Sequence, residues 1–284
     1  MQKTKNIKDI TTGLERAFYA QKHVYFDNIR IDGVEDGESS FKECKFIEVN
    51  NSYFNLRYPF WHDFDITIRD SEFTENARAA FWYCDDVVLI NVNSKGIKAF
   101  RECTDILIKD STFVSPEFGW RNNTISVFNS TITAEYGFFE SRNVSIENLK
   151  FFGKYSFQYV ENMVIVDSNL DTKDAFWHSK NVTVRNSIIK GEYLGWYSED
   201  LTLINCKIIG TQPLCYCKGL IIVDCEFVDC DLAFEYSEVN GNIKGQIVSI
   251  KNPTSGTLRV DAVGEFIEDD NSRKTDFVLE VINR

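Results

Sequence analysis

Residues 163–219 read MVIVDSNLDTKDAFWHSKN (163–181), VTVRNSIIKGEYLGWYSED (182–200) and LTLINCKIIGTQPLCYCKG (201–219), three blocks of 19 residues that superimpose position by position. Numbered 1 to 19, each block is apolar at positions 1 and 3, has Asn or Asp at 5, is apolar again at 8, and is rich in aromatics near 14 to 16. The frame extends outward in both directions. Upstream it covers 47–65, 66–86, 87–105, 106–124, 125–143 and 144–162, and downstream 220–238. Block 66–86 has 21 residues, an earlier block 24–46 has 23, and Ala17–His23 is the end of one earlier still.

Position 1 is Val24, Ile47, Ile66, Val87, Ile106, Ile125, Val144, Met163, Val182, Leu201 and Leu220. Alternating apolar residues at 1 and 3 predict a short, mostly β-branched strand. Position 5 is Asn28, Asn51, Asp70, Asn91, Asp110, Asn129, Asn148, Asp167, Asn186, Asn205 and Asp224. Asn and Asp tolerate the left-handed conformation and so predict a bend directly after the strand. Position 8 is apolar in ten blocks and Ser94 in the other. Such a unit cannot bury its apolar face alone but can when stacked on copies of itself. Nineteen is not a multiple of six, which disfavours a hexapeptide left-handed helix, and no helical period is present. The fold expected is all-β: a right-handed parallel β-helix of about eleven coils spanning roughly 50 Å at a rung rise of about 4.8 Å. Residues 1–23 are expected to form an N-terminal cap, 24–238 the helix, and 239–284 a C-terminal β cap with a charged tail, Asp269–Lys274, in one structural domain.

The strings RYPFWH (57–62), GIKAFREC (96–103), SPEFGW (115–120), GKYSFQY (153–159), TKDAFWH (172–178), GEYLGWYSE (191–199) and GTQPLCYC (210–217) resemble an uncharacterised bacterial domain-of-unknown-function family with a pectin-lyase-like β-helix fold. The resemblance covers roughly residues 14–265. It implies the fold and a bacterial origin, and it brings no known activity and no catalytic residue.

The 284 residues are 43% hydrophobic and 26% charged, a globular balance. A net charge of −12 argues against nucleic acid as a partner. No apolar run reaches the roughly 18 residues of a membrane span, and the N-terminus lacks a signal-like core. Of the eight cysteines, Cys84 and Cys103 stack at position 17 and Cys206 and Cys225 at position 6, at about the rung spacing and so beyond the roughly 3.8 Å Cβ separation of a disulfide. They read as free thiols, which with the missing signal suits a cytoplasmic location.

Position 14 is mainly phenylalanine and never charged, whereas position 15 holds all five tryptophans together with Lys42, Arg101 and Gln158. Strand alternation then places 14 inside and 15 outside, the opposite assignment being kept open by the small residues at 17. An exposed aromatic stripe is expected to bind a partner, and carbohydrate suits its chemistry. The candidate substrate-binding residues are Arg57, Trp61, His62, Arg78, Trp82, Tyr83, Lys98, Arg101, Trp120, Tyr159, Trp177, His178, Trp196 and Tyr197. Glu102, Arg121 and Glu140 share position 16 on consecutive rungs. Their carboxylates would lie about 9.5 Å apart, the upper end of the range for inverting glycoside hydrolysis. With Glu117 they are the candidate catalytic set, and Glu135 is a second choice. The competing reading of this column is an ion-pair ladder.

His62 and His178 stand roughly 29 Å apart and cannot share an ion, so no metal and no cofactor is expected. The functional expectation is a carbohydrate-binding β-helix, with hydrolase or lyase activity left open. The alternative is a non-catalytic scaffold whose stripe docks a protein or a second copy of the chain as a homodimer.

Overall fold

A computed structural model describes residues 5–34, 37–273 and 276–282. Residues 1–4 of the expected N-terminal cap and Lys274 of the expected tail lie outside the described residues. The chain forms an all-β, right-handed parallel solenoid with about 14 turns of roughly 19 residues. It divides into two compact units, residues 1–145 and 146–284.

Within each unit the 19-residue frame becomes strand register. In the first, Ile66 pairs with Val87, Val87 with Ile106, and Ile106 with Ile125. In the second, Met163 pairs with Val182, and Val182 with Leu201. All these ladders are parallel, and the side chains at 1 and 3 point inward, where they are buried. The position-5 residue takes the left-handed conformation on every one of these rungs, from Asn28 at φ 53° to Asp224 at φ 54°. Asn and Asp are the side chains that accept this backbone most readily.

The count exceeds the expected eleven because parallel pairing continues beyond the frame. Lys5–Thr12 pairs with Val24–Ile31 in the same sense. Past residue 238, Val239–Lys251, Thr257–Ile267 and Val278–Val281 add three further parallel strands. Their sequence period fails because bulges interrupt the ladder between Ile222 and Cys225 and between Ile243 and Gln246. At the first bulge Gly241 has φ +131°, and a Cβ there would collide with the Ile222 carbonyl oxygen.

The core is a column of rings. In the first unit Phe18, Phe41, Phe60, Phe81, Phe100, Phe118 and Phe138 follow one another at centroid separations of 4.8–5.5 Å. Each fully buried phenylalanine contributes roughly 1.5–3 kcal/mol by leaving water. In block 106–124 the ring moves from position 14 to 13, as Phe118, and Gly119 takes φ +70° beside it. Polar groups inside the coil are matched rung to rung. The backbone N–H at position 6 lies in the bend and donates to the side chain of the next rung: Ser52 N to Ser71 Oγ at 3.0 Å, Ser111 N to Ser130 Oγ at 3.1 Å, Ser168 N to Ser187 Oγ at 3.0 Å. Cys206 N donates to Cys225 Sγ at 3.4 Å in the same way. This accounts for the small polar residues of that column, since a buried N–H without a partner costs about 1–3 kcal/mol. All eight cysteines are buried and unbridged, as their spacing predicts.

Candidate functional site

The corner at positions 14–17 does not follow simple strand alternation. Position 14 is buried, 15 is half-buried, 16 faces solvent on most rungs, and 17 is buried again. The reason is a second left-handed bend at 16: His62, Tyr83, Glu102, Arg121, Glu140, Tyr159, His178, Tyr197 and Tyr216 all have φ between 53° and 60°. The bend reverses the side-chain direction, so 14 and 17 both point inward. The two assignments left open by the sequence are each half right.

Position 15 is therefore a flank, and three of its tryptophans are pinned. The indole N–H of Trp120 donates to Tyr136 O at 2.8 Å, that of Trp177 to Tyr193 O at 2.6 Å, and that of Trp196 to Gln212 O at 2.8 Å. Gln158 Nε2 makes the same bond to Asp174 O at 3.0 Å. Each bond joins position 15 to the position-12 carbonyl of the next rung. Trp61 and Trp82 stack at 5.7 Å, but their N–H groups are buried without a partner. Trp177 and Trp196 stack at 5.5 Å and 5°. The charges of this column are absorbed by it: Lys42 Nζ lies 4.7 Å from the Trp61 ring centre and the Arg101 guanidinium 4.8 Å from that of Trp120.

Position 16 is the solvent-facing column. In the first unit His62 stacks on Tyr83 at 5.0 Å and 13°. In the second, Tyr159, His178, Tyr197 and Tyr216 form one stack with spacings of 5.0, 5.0 and 4.7 Å and interplanar angles of 5–11°. Tyr236 continues it at 5.6 Å. The frame assigned Glu235 to this column and Ala233 to position 14. An extra residue in the second half of block 220–238 shifts both, so that Phe234 fills the core and Tyr236 the ridge. Tyr83, Tyr159 and Tyr197 are 38–46% exposed. Neighbours cover the ring faces, and what meets solvent is a line of edges, phenol hydroxyls and imidazole nitrogens. Burial, then the Glu235 carboxylate, raises the Tyr216 phenol above its ordinary pKa.

The charged residues singled out from sequence are mostly committed to one another. Arg121 Nε donates to Glu140 Oε2 at 2.7 Å, with both side chains exposed. That bond raises the Arg121 guanidinium, and Glu102 adds to the effect. Glu117 accepts from Arg101 and has Lys98 Nζ at 4.0 Å. Arg57 pairs with Glu38 at 3.0 Å. Arg57 and Arg78 are brought together in one pocket of about 450 Å³ with Asn55, Glu75 and Asn76, built by the longer rungs. Among the described residues, no group of three or more His, Cys, Asp and Glu side chains is placed to hold a metal ion, and no helix is long and apolar enough to cross a membrane.

Among the buried polar residues that escaped the sequence reading are Asp63 and Asn122, both at position 17 among Cys and Ser. The available signal was that this column is small and polar on neighbouring rungs.

The family described as "Protein of unknown function (DUF3737)" matches residues 5–279. The chain belongs to the DUF3737 family. Among curated proteins no relative matches it. Solved structures similar to this DUF3737 chain include the surface adhesin PfbA of Streptococcus pneumoniae, at 10% identity and TM-score 0.40, covering 88% of this chain and 85% of that one. Another is the AlgE6 A-module, a mannuronan C-5 epimerase of Azotobacter vinelandii, at 10% identity and TM-score 0.33, with 96% and 88% covered. A third is the periplasmic alginate epimerase AlgG, at 11% identity and TM-score 0.31, with 91% and 76% covered.

Proposed function

We propose that the chain binds a linear, hydroxyl-rich glycan along the position-16 ridge. The observation that supports this reading is the run Tyr159, His178, Tyr197 and Tyr216. It presents four polar-tipped aromatic edges at spacings of 4.7–5.0 Å. That interval is close to the length of one extended sugar ring, so a linear glycan can meet one hydrogen-bonding edge per unit. The residue types add weight. The left-handed bend at position 5 uses Asn and Asp, the cheapest side chains for that backbone, whereas the bend at 16 uses Tyr, His, Glu and Arg.

Stacked rings on a stiff coil are also ordered before any ligand arrives, which lowers the entropy lost on binding. The half-buried Trp177 and Trp196 of the same unit contribute an apolar flank. The reading assigns no bond-breaking step. A glycan array probed with wild type, Tyr197→Ala and His178→Ala tests it. Wild type is expected to retain a subset of linear glycans, and each variant to bind them about tenfold more weakly, the scale of one or two lost hydrogen bonds. Silence of folded wild type across the array overturns the reading and leaves the ridge as a protein-docking surface.

A further inference from the structure

Position 17 recurs as a polar contact on several rungs. Where its side chain is bonded on both sides, it accepts the N–H of the preceding rung's position 17 and donates to a main-chain carbonyl, at position 14 of that rung or position 15 of its own. Acceptance is seen for Asp63 Oδ1 from Cys44 N at 2.6 Å, Asn122 Oδ1 from Cys103 N at 2.7 Å, and Ser141 Oγ from Asn122 N at 3.1 Å. Donation is seen from Cys44 Sγ to Phe18 O at 3.1 Å, Cys103 Sγ to Phe81 O at 3.5 Å, and Ser141 Oγ to Gly119 O at 2.6 Å. In the second unit Ser237 does both, accepting from Cys217 N at 2.9 Å and donating to Leu214 O at 2.7 Å.

Asp63 occupies this place with 1% exposure. Its Oδ1 does the accepting, while Oδ2 is buried and accepts from nothing. The thiol of Cys84 at the same place donates to Phe60 O and Trp82 O, whose counterparts around Asp63 are Phe41 O and Trp61 O, and an ionised carboxylate has no proton to give. Asn122 stands at the same place on a later rung of this unit, where its Oδ1 accepts from Cys103 N as Asp63 Oδ1 does from Cys44 N, while its Nδ2 is buried without a partner. We propose that Asp63 is held as a neutral carboxylic acid in the folded chain, donating to a main-chain carbonyl of this column, and that its ionisation as pH rises loosens the rungs beneath Trp61 and His62.

The titratable groups around it fit this state. Cys44 and Cys84 flank it on the neighbouring rungs, Cys103 lies one rung further, and Glu43 acts from the preceding rung. Two of those thiols, Cys44 and Cys84, are themselves pushed up by burial, and Glu43 opposes a second negative charge. Burial raises the Asp63 carboxyl well above the ordinary carboxylate range. The sign of the linkage follows. A carboxyl whose folded pKa exceeds its unfolded one contributes stability that is complete below the unfolded value and is lost as pH climbs to the folded value.

The test compares wild type with Asp63→Asn and Asp63→Ser in thermal unfolding between pH 4 and 9. The wild-type Tm is expected to fall relative to both variants as pH rises, because amide and hydroxyl keep the donor at every pH. A Tm difference that does not change with pH overturns the proposal. Infrared spectra of wild type at pH 7 supply a second readout that needs no variant to fold. The carbonyl band of a protonated carboxylic acid is expected, and its absence overturns the proposal, as does its undiminished persistence in a folded Asp63→Asn.

Discussion

Tryptophans of one column divide into two classes by a single atom. Trp120 gives its indole N–H to Tyr136 O, whereas the N–H of Trp82 is buried with no partner. Replacing each by phenylalanine keeps an aromatic ring and deletes that atom. Trp120→Phe is expected to lose about 1 kcal/mol more than Trp82→Phe, since only the first breaks a net favourable bond. Urea denaturation of the two variants measures the difference, and equal losses would mean the indole bonds do not clip the rungs. The inward residues at 1, 3 and 14 were legible in sequence because burial selects apolar side chains and the period repeats them. The exposure of 15 and 16 was not legible. Tyr, Glu and Arg carry no intrinsic preference for a left-handed bend, so nothing local in Tyr197 or Glu102 announces one. Stacking on the rungs above and below imposes it, and strand alternation then misplaces the solvent face by one residue.

At the scale of the strand and its bend, stability depends on hydroxyls that look incidental in sequence. Ser111 Oγ accepts Val92 N at 3.0 Å and donates to Lys109 O at 2.6 Å. Ser111→Ala leaves that N–H buried and unmet and is expected to cost about 1–3 kcal/mol. Ser111→Cys is expected to cost less, because Cys225 already plays the part for Cys206. Chemical denaturation of both variants decides this, and an alanine variant as stable as wild type would sink the account. The position-5 bend was readable for a complementary reason. Asn and Asp are the residues that tolerate its φ, so local preference and tertiary demand coincide there. The candidate acid and base at Glu102 and Glu140 had no such local signature. Only the ion pair between Arg121 and Glu140 shows how that column is employed.

For the chain as a whole, repetition makes length a variable. Stability in such arrays is close to a sum over repeats and their interfaces. Deleting one complete rung, residues 163–181, is expected to leave a folded β protein, because Val144 and Val182 carry equivalent positions of the frame. The denaturant m-value should fall in rough proportion to the surface removed. Loss of all cooperative unfolding in that deletion would mean the rungs are not interchangeable. The C-terminal turns escaped the sequence frame because bulges break their period while parallel pairing persists. Opposite pH responses also meet at this scale. Asp27 and Asp32 are held below the ordinary carboxylate range, first by hydrogen bonds from Asn51 and Asn55. What they contribute is lost as pH falls through their lowered values, the reverse of the Asp63 linkage.

The eight buried thiols carry a further practical consequence. Cys44, Cys84 and Cys103 lie in the first unit and Cys206, Cys215, Cys217, Cys225 and Cys230 in the second, none bridged and none open to solvent. An alkylating reagent can reach each only when its own winding opens. Timed labelling read by peptide mass spectrometry would therefore record, without any introduced probe, the order in which individual windings come apart.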